Sequence, residues 1–172
     1  MLRRMAGDTV VIETSMGEFT IALDSERAPA TVANFLRYVD DGHYANTLFH
    51  RVIDNFMVQG GGYDVEHQKK PTREPIANEA DNGLHNVRGT VAMARTSEPH
   101  SATAQFFVNV ADNVFLNHRG KTPRDWGYTV FGKVTAGMDV VDRIKALPTG
   151  AQGPFQKDAP LEPVVIRAAR RG

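Results

Sequence analysis

Short apolar runs separated by turn residues constrain the fold of this sequence more than any other feature. The runs have the β-branched and aromatic content of strands, and glycine, proline or Asn/Asp pairs separate them. Regular helical crossovers between the runs are missing, so the pattern argues against a doubly wound α/β sheet. It predicts seven or eight short strands in an antiparallel barrel or sandwich with helices at its ends. The runs lie at 9–14, 18–23, 49–53, 56–58, 89–94, 105–110, 128–134 and 164–168.

Two segments have helical spacing instead. In the first, Val32, Phe35, Leu36 and Val39 recur at helical intervals, and Gly42 is a natural stop. Because Pro29 suits a first helical turn, we predict a helix over 29–41. A second helix is predicted over 138–147.

Length and composition narrow the class of protein. A chain of 172 residues predicts one domain over 1–172, with a core of about 9–168. Lys plus Arg equals Asp plus Glu at 20 each, so no overall field favours nucleic acid or an anionic membrane. The sequence has no cysteine, and its N-terminus contains no apolar run typical of a signal peptide. We therefore expect a cytoplasmic protein without a membrane span.

The stretch FHRVIDNFMVQGGG at 49–62 carries the strongest chemical signal. Arg51 and Gln59 are polar side chains interleaved with Phe and Met. Such a surface suits a neutral, apolar ligand with a carbonyl group better than an anion. The alternative for a lone arginine is an ion pair with Asp54 or Glu74 at a sheet rim, and for Arg51 considered alone that alternative is the stronger.

A second segment, QFFV at 105–108, has an ambiguous pattern. Strand alternation places Gln105 and Phe107 on one face and Phe106 and Val108 on the other. One aromatic can therefore enter the core while the other shares its face with a glutamine. Considered alone, the segment favours two core phenylalanines and a glutamine at a strand end.

Other motifs indicate no cofactor or metal. The three glycines at 60–62 lack the Gly-Lys-Ser/Thr ending of a phosphate loop. The six histidines show no metal-like pair spacing, and no nucleophile elbow is present. The segment 63–88 is too long for a plain connection, and its role stays open.

Together, five segments in order resemble the cyclophilin family of peptidyl-prolyl cis-trans isomerases, most closely its small bacterial single-domain members. The resemblance runs from about residue 9 to 168. It implies a mainly β fold, a closed eight-stranded antiparallel barrel with two capping α-helices. It also implies a monomeric enzyme that acts on X–Pro bonds of proline-containing peptides and folding proteins, without cofactor, nucleic acid or membrane. The segments are 49–62, GTVAMAR at 89–95, SATAQFFVNV at 101–110, FLNHRG at 115–120 and YTVFGKVTAGMDVVDRI at 128–144.

The resemblance also implies the residues of the site. The family's arginine corresponds to Arg51, and the apolar floor for the proline ring to Phe56, Met57, Phe107 and Leu116. Gln59 and Gln105 correspond to the polar contacts, and Ala94-Arg95-Thr96 to the backbone contacts. Because Phe56 and Met57 are neighbours, a bend near Asn55 has to bring both into the groove. We expect Arg51, Gln59 and Phe56 to be catalytic and the others, with Phe115 and Tyr128, to bind substrate.

Three positions depart from the usual family pattern. Phe115 stands where many members carry tryptophan and has no ring N–H donor, so we expect weak cyclosporin binding. Tyr128 replaces a histidine and keeps a ring and one donor. Arg95 replaces an asparagine, and its long side chain alters the rim of the groove.

Two rival functions stay open at this stage. The first is a proline-segment binding module, or holdase, whose turnover is incidental. The second is a β-barrel carrier for a small apolar ligand, which predicts an enclosed internal cavity.

Overall fold

The computed structural model describes residues 9–172, so the N-terminus, where no signal peptide is expected, lies outside the described residues. Nearly every predicted element is present within a few residues of its predicted bounds. The elements are β1 (Thr9–Thr14), β2 (Gly17–Leu23), α1 (Pro29–Asp40), β3 (Thr47–Leu48), β4 (Arg51–Ile53), β5 (Met57–Gly60), β6 (Thr90–Met93), β7 (Phe106–Asn109), β8 (Val130–Ala136), α2 (Met138–Lys145), β9 (Thr149–Gln152), β10 (Phe155–Pro160) and β11 (Val165–Arg171).

Nine of these strands form one antiparallel sheet, in the order β3-β11-β1-β2-β8-β6-β7-β5-β4. The prediction of a mainly β fold with two helices is confirmed. The predicted count of eight strands is not confirmed. Strands β3 and β4 lie at the two edges of the sheet and do not pair with each other, so strand pairing does not close the sheet into a barrel. Strand β3 escaped prediction because two residues carry no periodicity. Near these edges, the Leu48 N–H donates to the Tyr63 carbonyl (2.9 Å) and the Gly61 N–H to the Leu48 carbonyl (3.3 Å).

Aromatic side chains fill the interior between the sheet and the helices. Phe35 of α1 has ring centroids 5.3 Å from Tyr44, 5.6 Å from Phe106 and 5.1 Å from Phe131. These rings are buried, which contradicts the enclosed cavity that the carrier hypothesis required. Alternation along β7 sends Phe106 into this interior and Phe107 into a separate apolar cluster on the other face of the sheet.

The long segment 63–88 has a structural role at the start of α1. The Glu79 carboxylate accepts from the Ala30 and Thr31 N–H groups at 3.2 and 2.9 Å. These N–H groups have no partner inside the helix, and a negative charge at this end complements the helix dipole. Within residues 9–172, neither helix is long and apolar enough to cross a lipid bilayer.

The hairpin of β9 and β10 was missed by the sequence analysis. It packs against β4, and the Phe155 ring stacks on His50 with centroids 5.1 Å apart. Glycine and proline interrupt the segment, and its apolar and polar residues do not alternate regularly. Its sequence therefore resembles a loop. The hairpin therefore covers the edge strand that carries Arg51.

Candidate active site

A depression of about 120 Å³ opens on the face of the sheet opposite the interior core. Strands β4, β5 and β7 and the turn between β4 and β5 supply part of its lining, and the remainder comes from the chain after β6 and from the segments before β8. Every lining residue was among those predicted from the sequence. The lining residues are Arg51, Phe56, Met57, Gln59, Ala94, Arg95, Phe107, Leu116 and Tyr128.

Arg51 is exposed and lies directly opposite Gln59 in the β4–β5 register. Its Nη1 donates to Gln59 Oε1 at 3.3 Å. Within residues 9–172 no carboxylate forms an ion pair with Arg51, and Asp54 instead contacts Lys145 at 3.7 Å. The alternative of a rim ion pair with Asp54 or Glu74 is therefore wrong, and the guanidinium faces an open depression.

The Gln59 side chain is oriented from both sides. Its Oε1 accepts from Arg51, and its Nε2 donates to Gln105 Oε1 at 2.9 Å. Gln105 lies just before β7 and contacts the site through this bond. Gly62 makes room for it, because a Cβ at Gly62 would lie 2.5 Å from the Gln105 side chain. The three polar side chains form a single hydrogen-bonded row whose cation is at the open end.

The floor of the depression is apolar and almost closed to water. Met57, Phe107 and Leu116 are 2, 4 and 8% exposed and belong to one cluster with Ala92 and Val130. Asn55 has φ +66°, and this left-handed turn brings the neighbours Phe56 and Met57 to the same depression, as the sequence predicted. A small apolar ring fits this floor.

Tyr128 and Arg95 close the depression on the side of β6 and β8. The Tyr128 ring meets Phe107 edge to face, with centroids 5.9 Å apart. The Arg95 guanidinium lies over the Tyr128 ring at 4.5 Å, and its Nε donates to the Gly127 carbonyl at 2.9 Å. A second cation therefore stands at the rim.

Three predicted residues lie beside the depression without lining it. Gln105 contacts Gln59, which lines the depression. Phe115 is 59% exposed, with its ring 5.6 Å from that of Phe56. The Thr96 N–H already donates to Ser101 Oγ at 2.9 Å, as the Ala94 N–H does to the Gln105 carbonyl at 3.0 Å.

A network of buried asparagines supports the floor and was missed by the sequence analysis. Asn113 Nδ2 donates to the Phe56 carbonyl at 2.9 Å and to Asn109 Oδ1 at 2.8 Å. Asn109 Nδ2 continues to Asn86 Oδ1 at 3.0 Å, and Asn86 Nδ2 reaches the Leu116 carbonyl at 3.3 Å. The sequence feature that could have indicated this network is Asn109, a polar amide inside the apolar run FFVNV.

No histidine or carboxylate lines the depression, and the nearest unusual group is His50, behind Arg51. His50 is 5% exposed, and its Nδ1 has no hydrogen-bond partner. Burial, and then the Arg51 charge, lower the pKa of His50 to about 4, so it is neutral near pH 7. Within residues 9–172 no group of three His, Cys, Asp or Glu side chains is placed to hold a metal ion.

A larger apolar depression, of about 630 Å³, lies between β2, β8 and residues 83–90. It shares no lining residue with the smaller one and contains neither arginine nor glutamine. Volume alone would favour it as the site, but the hydrogen-bonded Arg51 and Gln59 lie beside an apolar floor only at the smaller of these two depressions.

Comparison with known proteins gives consistent matches over nearly the whole chain. The family model for cyclophilin type peptidyl-prolyl cis-trans isomerase/CLD matches residues 9–171. Peptidyl-prolyl cis-trans isomerase cyp18 of Streptomyces antibioticus is 59% identical over 162 residues, covering 94% of this chain and 97% of that protein. Peptidyl-prolyl cis-trans isomerase B of Escherichia coli is 55% identical over 159 residues, covering 92% and 96%.

A solved structure has the same fold. It is a cyclophilin type peptidyl-prolyl cis-trans isomerase of Cryptosporidium parvum, crystallised in the presence of the dipeptide Ala-Pro. Its TM-score is 0.76 at 24% identity, and the match covers 95% of this chain and 98% of that one.

Proposed function

This chain belongs to the cyclophilin-type peptidyl-prolyl cis-trans isomerase family and is a peptidyl-prolyl cis-trans isomerase, and we propose that it performs this reaction at the depression beside Arg51. Its substrates are X–Pro bonds in peptides and folding proteins. One observation carries the assignment of the site. A permanently charged guanidinium, held by Gln59 and without an acidic partner in residues 9–172, borders an apolar notch of about 120 Å³.

The chemistry requires a donor that favours a twisted amide. Rotation about the C–N bond is opposed by about 18–20 kcal/mol because resonance is lost at the twist. As the bond twists, the nitrogen becomes pyramidal and gains a localised lone pair. Arg51 can donate to that lone pair, and in the planar forms the lone pair is delocalised. The guanidinium therefore binds the transition state better than either ground state, which is the condition for catalysis.

The neighbouring side chains hold the substrate in place. Met57, Phe107 and Leu116 offer the proline ring an apolar floor that excludes water. Gln59 Nε2 has two N–H groups, of which one donates to Gln105, so the second is available to a substrate carbonyl. Because no proton is transferred overall, this mechanism uses no general base, metal or cofactor.

The arginine role is tested with Arg51→Ala in an NMR exchange assay on short X–Pro peptides. We expect kcat/KM to fall about 10²–10³-fold, the size of effect seen when one transition-state donor is lost. Because Arg51 is exposed, the melting temperature should change little. Arg167→Ala, at an exposed position on β11, is the matched control. Near wild-type kcat/KM for Arg51→Ala would reject the assignment.

The same variant separates catalysis from simple binding of proline segments. If the protein works as a holdase, Arg51→Ala should still rescue a refolding client as well as wild type does. Loss of rescue together with loss of isomerisation supports the enzyme.

Four finer expectations are part of this proposal. The sheet closes through the backbone bonds of Leu48 to Tyr63 and Gly61, the protein acts as a monomer, and it resides in the cytoplasm. It binds cyclosporin weakly, because Phe115 has no ring donor. Light scattering, cell fractionation and cyclosporin titration test the last three in turn.

A further inference from the structure

We propose that Arg95 makes this enzyme selective for substrates with an acidic side chain next to the proline. The proposal rests on the proposed function of the depression, which Arg95 helps to line. It adds a substrate class, Asp- or Glu-flanked X–Pro segments, and a residue that recognises it.

The Arg95 side chain is held in place before any ligand arrives. Its Nε donates to the Gly127 carbonyl and its Nη1 to the Thr96 carbonyl, each at 2.9 Å. The guanidinium also lies 4.5 Å from the centroid of the Tyr128 ring. A mobile arginine would lose side-chain entropy on binding a carboxylate, and one that is already fixed loses less.

The acceptor that fixes Arg95 is itself rigid. The Gly127 carbonyl also accepts from Asn78 Nδ2 at 3.0 Å, and Asn78 is 9% exposed. Gly127 has φ +80°, and a Cβ there would lie 2.6 Å from the His118 backbone nitrogen. The position of the cation is therefore set by packed backbone and not by a flexible loop side chain.

The charge on Arg95 is not neutralised by the protein. Of the five N–H donors of its guanidinium, two have partners, and within residues 9–172 no carboxylate forms an ion pair with it. Arg51, across the same depression, also lacks an ion pair within that range. Elsewhere Arg88, Arg143 and Arg171 each pair with an aspartate. The substrate site is thus a place where two positive charges face solvent without a counter-charge.

A carboxylate is the substrate group best suited to bind beside these two unpaired positive charges. Hydrogen bonds from a guanidinium to a carboxylate are charge-assisted and stronger than neutral ones. The depression is about the size of one proline ring, so its rim lies within one or two residues of the proline along a bound chain. In a polypeptide substrate that carboxylate belongs to Asp or Glu.

The contact should act on binding and not on rotation. A carboxylate at the rim is the same in the planar and the twisted forms of the X–Pro bond. It therefore stabilises ground state and transition state equally, which lowers KM and leaves kcat unchanged.

The test is an NMR exchange assay on peptides that carry Glu, Gln or Lys either directly before or directly after the proline. For wild type we expect kcat/KM to be about 5–10-fold higher for Glu than for Gln at one of the two positions, with Lys lowest. The difference should lie in KM, and it should shrink as salt is raised because the rim is exposed to solvent.

Arg95→Gln removes the charge while keeping an amide that can still reach the Gly127 carbonyl, and its Glu/Gln ratio should fall to about one. Arg95→Glu should invert the order and favour Lys peptides. Arg167→Gln makes the same change in net charge at an exposed position far along the chain and should keep the wild-type ratio.

Two results would overturn the proposal: equal kcat/KM for Glu and Gln peptides with wild type at both positions, or a preference that survives in Arg95→Gln. Should the variants fail to fold, the wild-type comparison and its salt dependence decide. Failure of the proposed function is distinguishable, because it shows as an Arg51→Ala enzyme that isomerises the Gln peptide normally.

Discussion

At the scale of single residues, the site depends on how polar side chains are oriented and not on unusual ionisation. Gln59 is the clearest case, because an amide can present either its oxygen or its nitrogen to a neighbour. The bond to Gln105 uses the nitrogen, which leaves the oxygen to hold Arg51. We therefore expect Gln105 to position the proposed catalytic residue Arg51 through Gln59, although Gln105 does not line the depression.

The variant Gln105→Ala tests this role. Without its partner the Gln59 amide can rotate, and Arg51 loses a fixed acceptor. We expect kcat to fall about 5–10-fold with a smaller change in KM, since the loss affects the donor that acts in the transition state. The NMR exchange assay gives both constants, and Gln68→Ala, at an exposed position, is the control. An unchanged kcat would show that Gln59 does not need Gln105.

Single residues also decided between alternatives that the sequence left open. Asp54 was a plausible partner for Arg51, but it contacts Lys145 of α2. The QFFV segment considered alone favoured two core phenylalanines and a glutamine at a strand end; both rings are buried and Gln105 lies just before β7, but the two rings belong to different apolar clusters. In both cases the outcome depends on an element distant in sequence, which local pattern does not reveal.

At the scale of elements, β4 is the edge strand that carries Arg51 at the proposed site. It has three residues, lies at an edge of the sheet and pairs only with β5. The β9–β10 hairpin covers it, and the contact is aromatic: His50 lies between Tyr63 at 4.7 Å and Phe155 at 5.1 Å. An edge strand of this length needs such a cover to stay in place.

This contact makes stability depend on pH. Burial lowers the pKa of His50 from 6.5 to about 4 in the folded protein. The unfolded chain therefore binds a proton between those values and the folded chain does not. The contribution of His50 to the free energy of unfolding is fully present above about pH 6.5. It falls as the pH drops towards 4, where roughly 3 kcal/mol has been lost.

Urea unfolding at pH 7 and at pH 4.5 measures the effect, with His50→Phe as the variant that keeps a ring and removes the titration. The variant should lose less stability than wild type between the two values. Arg51 and His67, the two charged neighbours that lower the pKa of His50, are unchanged in this variant. Equal losses in the two proteins would show that His50 is not the group responsible.

At the scale of the whole molecule, the formal net charge is zero, and the ion pairs among residues 9–172 lie at the surface. The Arg88–Asp142 pair, for example, has side chains that are 44 and 34% exposed. Surface pairs of this kind contribute little and are screened by salt. The fold is held by two apolar clusters, one inside the sheet and one beneath the groove.

Raising the salt concentration should therefore leave the stability of the fold nearly unchanged while it weakens the preference for Glu peptides. Between about 0.05 and 0.5 M NaCl we expect the urea midpoint of unfolding to move by less than about 0.5 M. Over the same range the preference for Glu peptides should decline. A midpoint that fell steeply with salt would mean that the surface pairs matter more than their exposure indicates.

The sequence by itself determined the strands with clear alternation, both helices and the family, and the family resemblance named the residues that line the smaller depression. These are encoded locally, in apolar periodicity, turn residues and five short segments in a fixed order. The bend at Asn55 followed from the resemblance, which places two neighbours in the chain in one groove.

Only the tertiary structure decided the nine-stranded pairing, the hairpin over β4, the partner of Arg51 and the fixing of Arg95 by Gly127. Each depends on contacts between residues far apart in the chain, such as the 32 positions that separate Arg95 from Gly127. Sequence pattern reports which face a side chain takes within its own element. Which distant element meets that face is set by how the whole sheet curls and packs, and this determines what each charge in the groove can bind.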